Sequence, residues 1–222
     1  MIRRIAAVVV GIWVLAAPLS AQRFEVSFNA GYTTAEGVKF DPRLINGILY
    51  DEVDVKDGGS FSLTAGFFAT PNAQIEFMYA RQSSEFVARG AATELVVSDM
   101  NIDNYHVNFV YNWGESDAKL RPYAFVGLGA TNYSPSGSVK IPGVQGELNG
   151  NAQFSTTWGA GVKYYMTPSV GVKAGMRWTP TYIKSDAAGF WCDPFYGCWQ
   201  LVDNDYANQF ETAVGVTFRF EE

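Results

Sequence analysis

Apolar and polar side chains alternate along most of this chain, so that every second residue falls on the same face of an extended strand. From Phe24 to Thr33 the even-numbered residues are apolar and the odd-numbered residues are polar or small. Alternation of this length is typical of a β-strand with two unlike faces. The pattern occurs eight times, in residues 24–33, 60–69, 74–79, 105–113, 121–133, 157–164, 170–178 and 210–220. The sequence therefore predicts an all-β protein with eight main strands.

Two of the eight segments depart from this pattern. Met78 lies on the polar face of the third segment. In the fifth segment either face is apolar enough to point outward. We expect its outward residues to be Ala124, Val126, Leu128 and Ala130.

The connections between the segments alternate between long and short. The short connections are residues 70–72, 114–119 and 167–169, and the long ones are residues 36–58, 85–100, 134–151 and 183–205. A barrel of the bacterial outer membrane has short turns on the periplasmic side and longer loops on the extracellular side. The predicted fold is therefore an eight-stranded up-and-down antiparallel transmembrane β-barrel with four extracellular loops.

A soluble eight-stranded barrel would show the same alternation, with its apolar face turned inward around a ligand. Here the polar face carries many glycines, which suit a narrow interior. Trp113, Trp158 and Trp178 stand at strand ends, where the aromatic girdles of membrane barrels meet lipid headgroups. The pattern favours a membrane barrel over a secreted lipocalin-like binder.

The first 21 residues are typical of a cleaved signal peptide. Arg3 and Arg4 precede the apolar run Ile5–Ala17, and Leu19-Ser20-Ala21 ends in small residues. We expect a mature domain of residues 22–222. The apolar run is short for a transmembrane helix, and no later stretch approaches the roughly 20 apolar residues that such a helix needs.

Charge and cysteine content narrow the function classes. The 222 residues include 16 basic and 22 acidic side chains, and the net charge of −6 argues against nucleic acid as a partner. The two cysteines, Cys192 and Cys198, are expected to form a local disulfide, because exported thiols are normally oxidised. Because the chain has one histidine and no further cysteine, a metal site would have few ligands. We therefore expect no metal site and no cofactor.

Charged side chains of both signs occupy the face that is predicted to point inward. Because an unpaired charge away from water costs several kcal/mol, we expect ion pairs that fill the lumen. The alternative is a narrow passive channel, opened when Glu76 or Glu211 exchanges basic partners. The predicted lumen network comprises the acids Glu25, Glu76 and Glu211 and the bases Lys163, Lys173, Arg177 and Arg219.

The alternative to a structural or channel role is an enzyme, because some small outer-membrane barrels have a hydrolase site with His and Ser near the outer rim. The only histidine is His106, and Ser84 and Asp103 are its candidate partners. No motif sets their geometry, and a nucleophile, base and orienting group must lie within hydrogen-bond reach. We therefore predict that the chain is not an enzyme.

The fourth long connection contains an aromatic cluster around the two cysteines. Rigid aromatic side chains outside the cell would form a contact surface for a protein or glycan ligand. The alternative is that they pack on other loops or lie in the lipopolysaccharide headgroup layer. The cluster consists of Phe190, Trp191, Phe195, Tyr196 and Trp199.

Two segments carry a family resemblance. Arg121-Pro122-Tyr123-Ala124-Phe125-Val126-Gly127-Leu128-Gly129-Ala130 and Gly215-Val216-Thr217-Phe218-Arg219-Phe220 resemble the OmpA-like outer-membrane β-barrel domains of Gram-negative bacteria. The resemblance implies contact with outer-membrane lipid and lipopolysaccharide. It also implies that the barrel-assembly machinery recognises Gly215, Phe218 and Phe220, although Glu221 and Glu222 extend beyond that signal. We expect a structural or surface-interaction role, with the narrow channel as the alternative.

Overall fold

The fold is an antiparallel β-barrel without helices in the described parts of the chain. The computed structural model describes residues 23–36, 38–45, 48–90, 93–136, 151–183, 192–193, 197–198 and 205–220. The strands are β1 (Phe24–Ala35), β2 (Val38–Ile45), β3 (Ile48–Val55), β4 (Gly58–Phe68), β5 (Ala73–Gly90), β6 (Thr93–Asn112), β7 (Leu120–Ser136), β8 (Asn151–Tyr165), β9 (Val170–Ile183), β10 (Cys192–Asp193), β11 (Gly197–Cys198) and β12 (Asp205–Phe220). Over these ranges no helix has the length and apolar content needed to cross a membrane.

Eight strands close into a ring, as the alternation predicted. Strand β1 pairs with β4 on one side and with β12 on the other, so that Phe24 faces both Phe67 and Phe220. From β12 the ring continues through β9, β8, β7, β6 and β5 back to β4, and every pairing is antiparallel. Closure removes the unpaired backbone edges that a membrane cannot solvate.

One end of the barrel carries three short turns, in agreement with the predicted short connections. Residues 69–72 join β4 to β5, residues 113–119 join β6 to β7, and residues 166–169 join β8 to β9. Gly114 has a φ of 90°, a backbone conformation that side chains with a Cβ rarely adopt. In outer-membrane barrels, short turns of this kind lie on the periplasmic side.

At the opposite end, two of the predicted loops are instead strands. Residues 36–58 contain the β2–β3 hairpin, and β3 pairs with β5. Most of residues 85–100 belong to β5 and β6, which continue past the barrel as one long hairpin. Phe86, Val87 and Ala88 are all buried, and the pairing register shifts between Phe86 and Val87. A strand does not alternate between apolar and polar residues where both of its faces are buried, or where a β-bulge interrupts the pairing. The alternation pattern therefore predicted a loop at residues 85–100.

The barrel is apolar outside and polar inside. Phe28, Leu128 and Met176 are 57%, 61% and 68% exposed, whereas Lys163 and Arg121 are fully buried in the interior. A soluble barrel would have the reverse arrangement, so the lipocalin-like alternative fails. The outward face predicted for the fifth segment is confirmed, because Val126 and Leu128 are exposed on the exterior while Tyr123 and Gly127 lie on the interior face.

Aromatic side chains ring both ends of the apolar exterior. On the turn side, the ring centroids of Tyr111 and Trp113 are 5.3 Å apart. On the opposite side, the rings of Trp178 and Phe210 stack at 6.2 Å. These positions match the girdles that lie at the two lipid headgroup layers.

Candidate functional site

The interior of the barrel holds the predicted charges in stacked layers. In the layer nearest the short turns, Lys163 Nζ lies 2.5 Å from Glu25 Oε1. Tyr165 donates its hydroxyl to Glu25 Oε2 at 2.5 Å, and Lys163 also donates to Gln74 Oε1 at 3.3 Å. Lys163 and Glu25 are 0% and 1% exposed, so this pair is sealed from solvent.

The next layer contains two more ion pairs. Lys173 Nζ lies 3.1 Å from Glu76 Oε2, and Arg177 Nη2 lies 2.6 Å from Glu211 Oε2. Asn108 donates to Glu76 at 3.3 Å, which gives that carboxylate a second donor. The four charges come from β5, β9 and β12, so the pair between Glu76 and Lys173 crosses the lumen and ties distant strands together.

Met78 belongs to this layer, although in sequence it only interrupts the polar face. Its Sδ atom lies 2.8 Å from Arg177 Nη1 and 3.9 Å from Asn108 Nδ2. A flexible, polarisable thioether fills irregular space beside a guanidinium without adding charge. Met78 therefore packs the lumen between the ion pairs.

Arg219, the seventh predicted lumen charge, lies at the turn end. Its Nη1 donates to the carbonyl of Ser116 at 3.0 Å, and its guanidinium carbon lies 3.7 Å from the centre of the Tyr165 ring. It therefore fastens the 113–119 turn to the barrel wall.

Farther from the turns, the lumen is neutral and densely hydrogen-bonded. His106 Nε2 lies 2.9 Å from Ser155 Oγ, and Thr131 Oγ1 lies within hydrogen-bond distance of Ser155 at 3.0 Å and of Asn104 at 2.7 Å. Beyond this layer apolar and polar side chains are buried together, with Met100, Ile102 and Gln82 almost fully buried. The lumen thus changes from charged to neutral along the barrel axis.

The candidate hydrolase residues are not brought together. His106 points into the lumen, whereas Asp103 lies on the outer face, where Arg81 Nε is 2.7 Å and the Tyr79 hydroxyl 2.8 Å from its Oδ1. Ser84 lies farther along β5 and donates to the carbonyl of Lys56. Asp103 and Arg81 thus form an ion pair on the barrel exterior, toward the end opposite the short turns. The sequence analysis did not predict this pair.

One small cavity remains among the ion pairs. Its volume is about 40 Å³, and its walls include the Lys173–Glu76 and Arg177–Glu211 pairs and Tyr123. At roughly 10–15 Å³ per water molecule it has room for a few waters. The buried atoms Asn108 Oδ1 and Arg177 Nε have no hydrogen-bond partner among the described residues, and such waters would satisfy them.

Two glycines make space for a tyrosine beside this cavity. A Cβ atom on Gly161 or Gly175 would lie 2.7 or 2.6 Å from the Tyr123 hydroxyl. The glycines on the polar face thus admit large side chains into a narrow lumen, as the sequence suggested.

Sequence reasoning missed one interior cation. Arg121, the second residue of β7, is fully buried, and its Nη2 donates to the carbonyl of Pro71 at 2.9 Å. Its position was available from the alternation, because it has the same parity as the inward-facing Tyr123. Arg121 was left out of the predicted lumen bases, which were taken from other strands.

Outside the membrane-facing band, ion pairs connect β3, β5 and β6. Lys56, just after β3, lies 2.8 Å from Glu94 and 3.1 Å from Glu85. Arg89 pairs with Glu94 at 3.3 Å and also with Asp54. The hydrogen bond from Lys56 lowers the pKa of Glu94, and the bond to Glu94 raises the pKa of Lys56. Across the described residues, no three His, Cys, Asp or Glu side chains gather as a metal site.

The predicted signal and loop residues have mixed outcomes. Phe218 and Phe220 point outward from β12, and Gly215 faces Asn29 across the ladder. The backbone pairs Cys192 with Cys198 between β10 and β11, and their disulfide stays a prediction. Residues 1–21 and the five aromatic residues of the loop cluster lie outside the described residues.

Several solved structures are similar to this one. Outer membrane protein OprG from Pseudomonas aeruginosa is 14% identical, with a TM-score of 0.61 over 91% of this chain and 98% of that one. Neisserial surface protein A is 17% identical, with a TM-score of 0.54 over 89% and 97%. A major outer membrane protein from Thermus thermophilus is 11% identical, with a TM-score of 0.56 over 90% and 100%. At these identities the similarity shows the fold alone.

Comparison by sequence defines the family. No curated protein sequence matches the chain. The profile of the family described as "Outer membrane protein beta-barrel domain" matches residues 5–220, which places the protein in the bacterial outer membrane. Together with the closed eight-stranded barrel and its apolar exterior, this match shows that the chain belongs to the outer membrane protein β-barrel domain family.

Proposed function

We propose that this protein acts as a closed barrel whose work is done at the cell surface, in a structural or surface-interaction role. The observation that carries the proposal is the filled lumen. Three buried ion pairs occupy its turn-side half, and the cavity among them measures only about 40 Å³. A hydrated ion needs a continuous water path, and a cavity for a few waters does not supply one.

The proposed surface role rests on the strands that rise beyond the lipid-facing band. Strands β5 and β6 have 18 and 20 residues, well above the roughly 9–11 that span a membrane. Their outer parts pair with each other, the outer part of β5 also pairs with β3, and the ion pairs of Lys56 and Arg89 connect these strands. A stiff sheet outside the cell offers a preorganised surface, which lowers the entropy lost when a partner binds. The aromatic cluster around Cys192 and Cys198 is the further candidate contact, with a protein or glycan as its ligand.

Conductance tests the closed state. Residues 22–222 are folded in detergent, reconstituted into a planar bilayer and recorded under voltage. We expect no current steps above bare lipid. The matched variants are Glu76→Gln, which breaks a lumen pair, and Arg81→Gln, which breaks a pair on the barrel exterior. Defined steps in the unmodified protein would contradict the proposal.

A narrow passive channel is the second candidate, because the cavity borders the two ion pairs whose rearrangement would widen it. In that case the unmodified protein conducts, and Glu76→Gln and Glu211→Gln change the step size while Arg81→Gln does not. The same recordings therefore separate the two functions.

Catalysis is not part of the proposal. The separation of His106, Ser84 and Asp103 supports a non-enzymatic role, since the three groups face different environments. We also propose that the barrel-assembly machinery recognises Gly215, Phe218 and Phe220 during insertion. The outward position of the two phenylalanines on the last strand supports this role.

A further inference from the structure

Four aromatic side chains form a strip on the outer wall of the barrel, toward the end opposite the short turns. In the register of β9 and β12, Trp178 lies opposite Phe210, and Tyr182 lies opposite Tyr206. The ring centroids of the first pair are 6.2 Å apart and those of the second pair 5.6 Å. Trp178, Tyr206 and Phe210 are 41%, 55% and 45% exposed. We call these four residues the aromatic strip.

The membrane girdle explains only the lower half of the aromatic strip. Trp178 and Phe210 belong to the girdle, whereas Tyr206 lies four residues farther from the turns along β12. At about 3.3 Å per residue and a strand tilt of about 40°, Tyr206 is roughly 10 Å above Phe210 along the barrel axis. The headgroup layer on one side of a bilayer is only about 5–8 Å thick. The two tyrosines therefore rise above the girdle.

Polar groups lie between the two aromatic pairs. Asn208 Oδ1 accepts a hydrogen bond from Trp178 Nε1 at 3.0 Å, and Asn208 Nδ2 donates to Glu36 Oε2 at 2.9 Å. A side-chain amide has a second N–H, and a carboxylate accepts several hydrogen bonds. Asn208 and Glu36 can therefore donate to and accept from the hydroxyl groups of a ligand.

The charge of this surface limits the chemistry of that ligand. The described residues 32–36, 178–183 and 205–210 contain no lysine or arginine, so a phosphate group would have no cation here. A pyranose sugar has an apolar C–H face that stacks on aromatic rings, and its hydroxyl groups bind amides and carboxylates. The surface therefore suits the sugar part of a molecule.

We propose that the aromatic strip binds the core sugars of lipopolysaccharide in the outer leaflet. The strip continues the lipid-facing wall without interruption, and the sugars follow the acyl chains outward along the same lipid molecule. A lipid that packs its chains on the exterior of β9 and β12 thus brings its sugars to Tyr182 and Tyr206. This site goes beyond the general lipid contact implied by the family resemblance, and it does not depend on whether the lumen conducts.

The test measures the preference of the protein between two lipids that differ in their sugars. The folded protein in dodecyl maltoside is mixed with equal amounts of lipopolysaccharide with a complete core and of the lipid A derived from it. Native mass spectrometry then gives the ratio of the two complexes. We expect the unmodified protein to retain the core-bearing lipid about fivefold more than lipid A, as stacking on one or two aromatic rings provides.

Substitutions in the upper pair assign the preference to the aromatic strip. Tyr206→Ala should abolish it, whereas Tyr206→Phe keeps the ring face and should retain most of it. Tyr182→Ala removes the neighbouring ring and reports on the same pair if Tyr206→Ala does not fold. The matched control is Tyr105→Ala, which removes a tyrosine of 44% exposure from β6, across the barrel, and should leave the ratio unchanged.

Each outcome supports or overturns the proposal. A preference for the core-bearing lipid that is lost in Tyr206→Ala or Tyr182→Ala and kept in Tyr105→Ala supports it. Equal retention of the two lipids by the unmodified protein overturns it, as does an equal loss in Tyr105→Ala. Free core oligosaccharide, cut from the lipid, is the third probe. If it binds as tightly as the whole lipid, the ligand is a soluble glycan and the assignment to a membrane lipid is wrong.

Discussion

Replacing Lys163 with methionine tests how far the barrel depends on its buried charge pairs. The change keeps the length of the side chain and removes the ammonium group that lies 2.5 Å from Glu25 Oε1. Glu25 would then keep only the Tyr165 hydroxyl as a donor, at 1% exposure. The pair is ideal for such a test because both partners are sealed from solvent.

The expected loss follows from desolvation rather than from the Coulomb energy of the pair. Leaving one member of a buried ion pair without its partner costs about 3–5 kcal/mol. Glu25→Gln in the same chain removes the stranded charge and still accepts the Tyr165 hydroxyl. We therefore expect the double variant to recover most of the free energy of unfolding, because replacing both charges by neutral groups costs little.

Urea unfolding in lipid vesicles, followed by tryptophan fluorescence, measures these free energies by linear extrapolation. Lys56→Met is the matched control, because its pairs with Glu85 and Glu94 are largely exposed and should contribute far less. A loss below about 1 kcal/mol for Lys163→Met would refute the reasoning, since exposed pairs are worth that much. The reasoning would also be refuted if the double variant, Lys163→Met with Glu25→Gln, were no more stable than Lys163→Met alone.

Three further predictions concern other parts of the molecule. In an NMR titration, the pKa of the Glu94 carboxyl should lie below the ordinary glutamate value and should rise in Lys56→Gln. Because the pKa of Glu94 is lowered in the folded state, this carboxylate stabilises the fold at a pH above its unfolded-state pKa. That stabilisation is lost as the pH falls through the folded-state pKa. Gly175→Ala should cost about 1–3 kcal/mol by crowding the Tyr123 hydroxyl, and Tyr123→Phe should relieve part of that cost in unfolding experiments. Cys192→Ser should leave barrel unfolding unchanged while removing the reductant-dependent difference in thiol alkylation that a disulfide would give.

Much of the lumen was predictable, because the odd or even position of a residue along a strand assigns its side chain to one face of the barrel wall. Once one apolar residue of a strand is outside, every second neighbour follows, and this rule placed Glu25, Lys163 and Glu211 inside. It could not state which acid meets which base, because partners such as Glu76 and Lys173 are 97 residues apart and meet only when the ring closes. Nor could it show that Arg121 forms no ion pair with a described carboxylate, because that depends on which residues the neighbouring strands place beside it.

One wrong loop prediction and the separation of the rejected hydrolase residues have different physical causes. Residues 85–100 were predicted as a loop because their alternation breaks down, yet Phe86, Val87 and Ala88 are buried on both faces of a strand. Asp103 was considered beside His106 because they are close in sequence, but their odd separation along the strand places them on opposite faces of the wall.

The sequence by itself determined the number of barrel strands, the barrel class, the lipid-facing surface and the polarity of the lumen. Each of these follows from a period of two residues, which is a local property of the extended chain. Only the tertiary structure decided the ion-pair partners, the small size of the cavity among them and the sheet that extends beyond the barrel at the end opposite the short turns. These depend on strand register and barrel closure, which bring together residues that no local pattern connects.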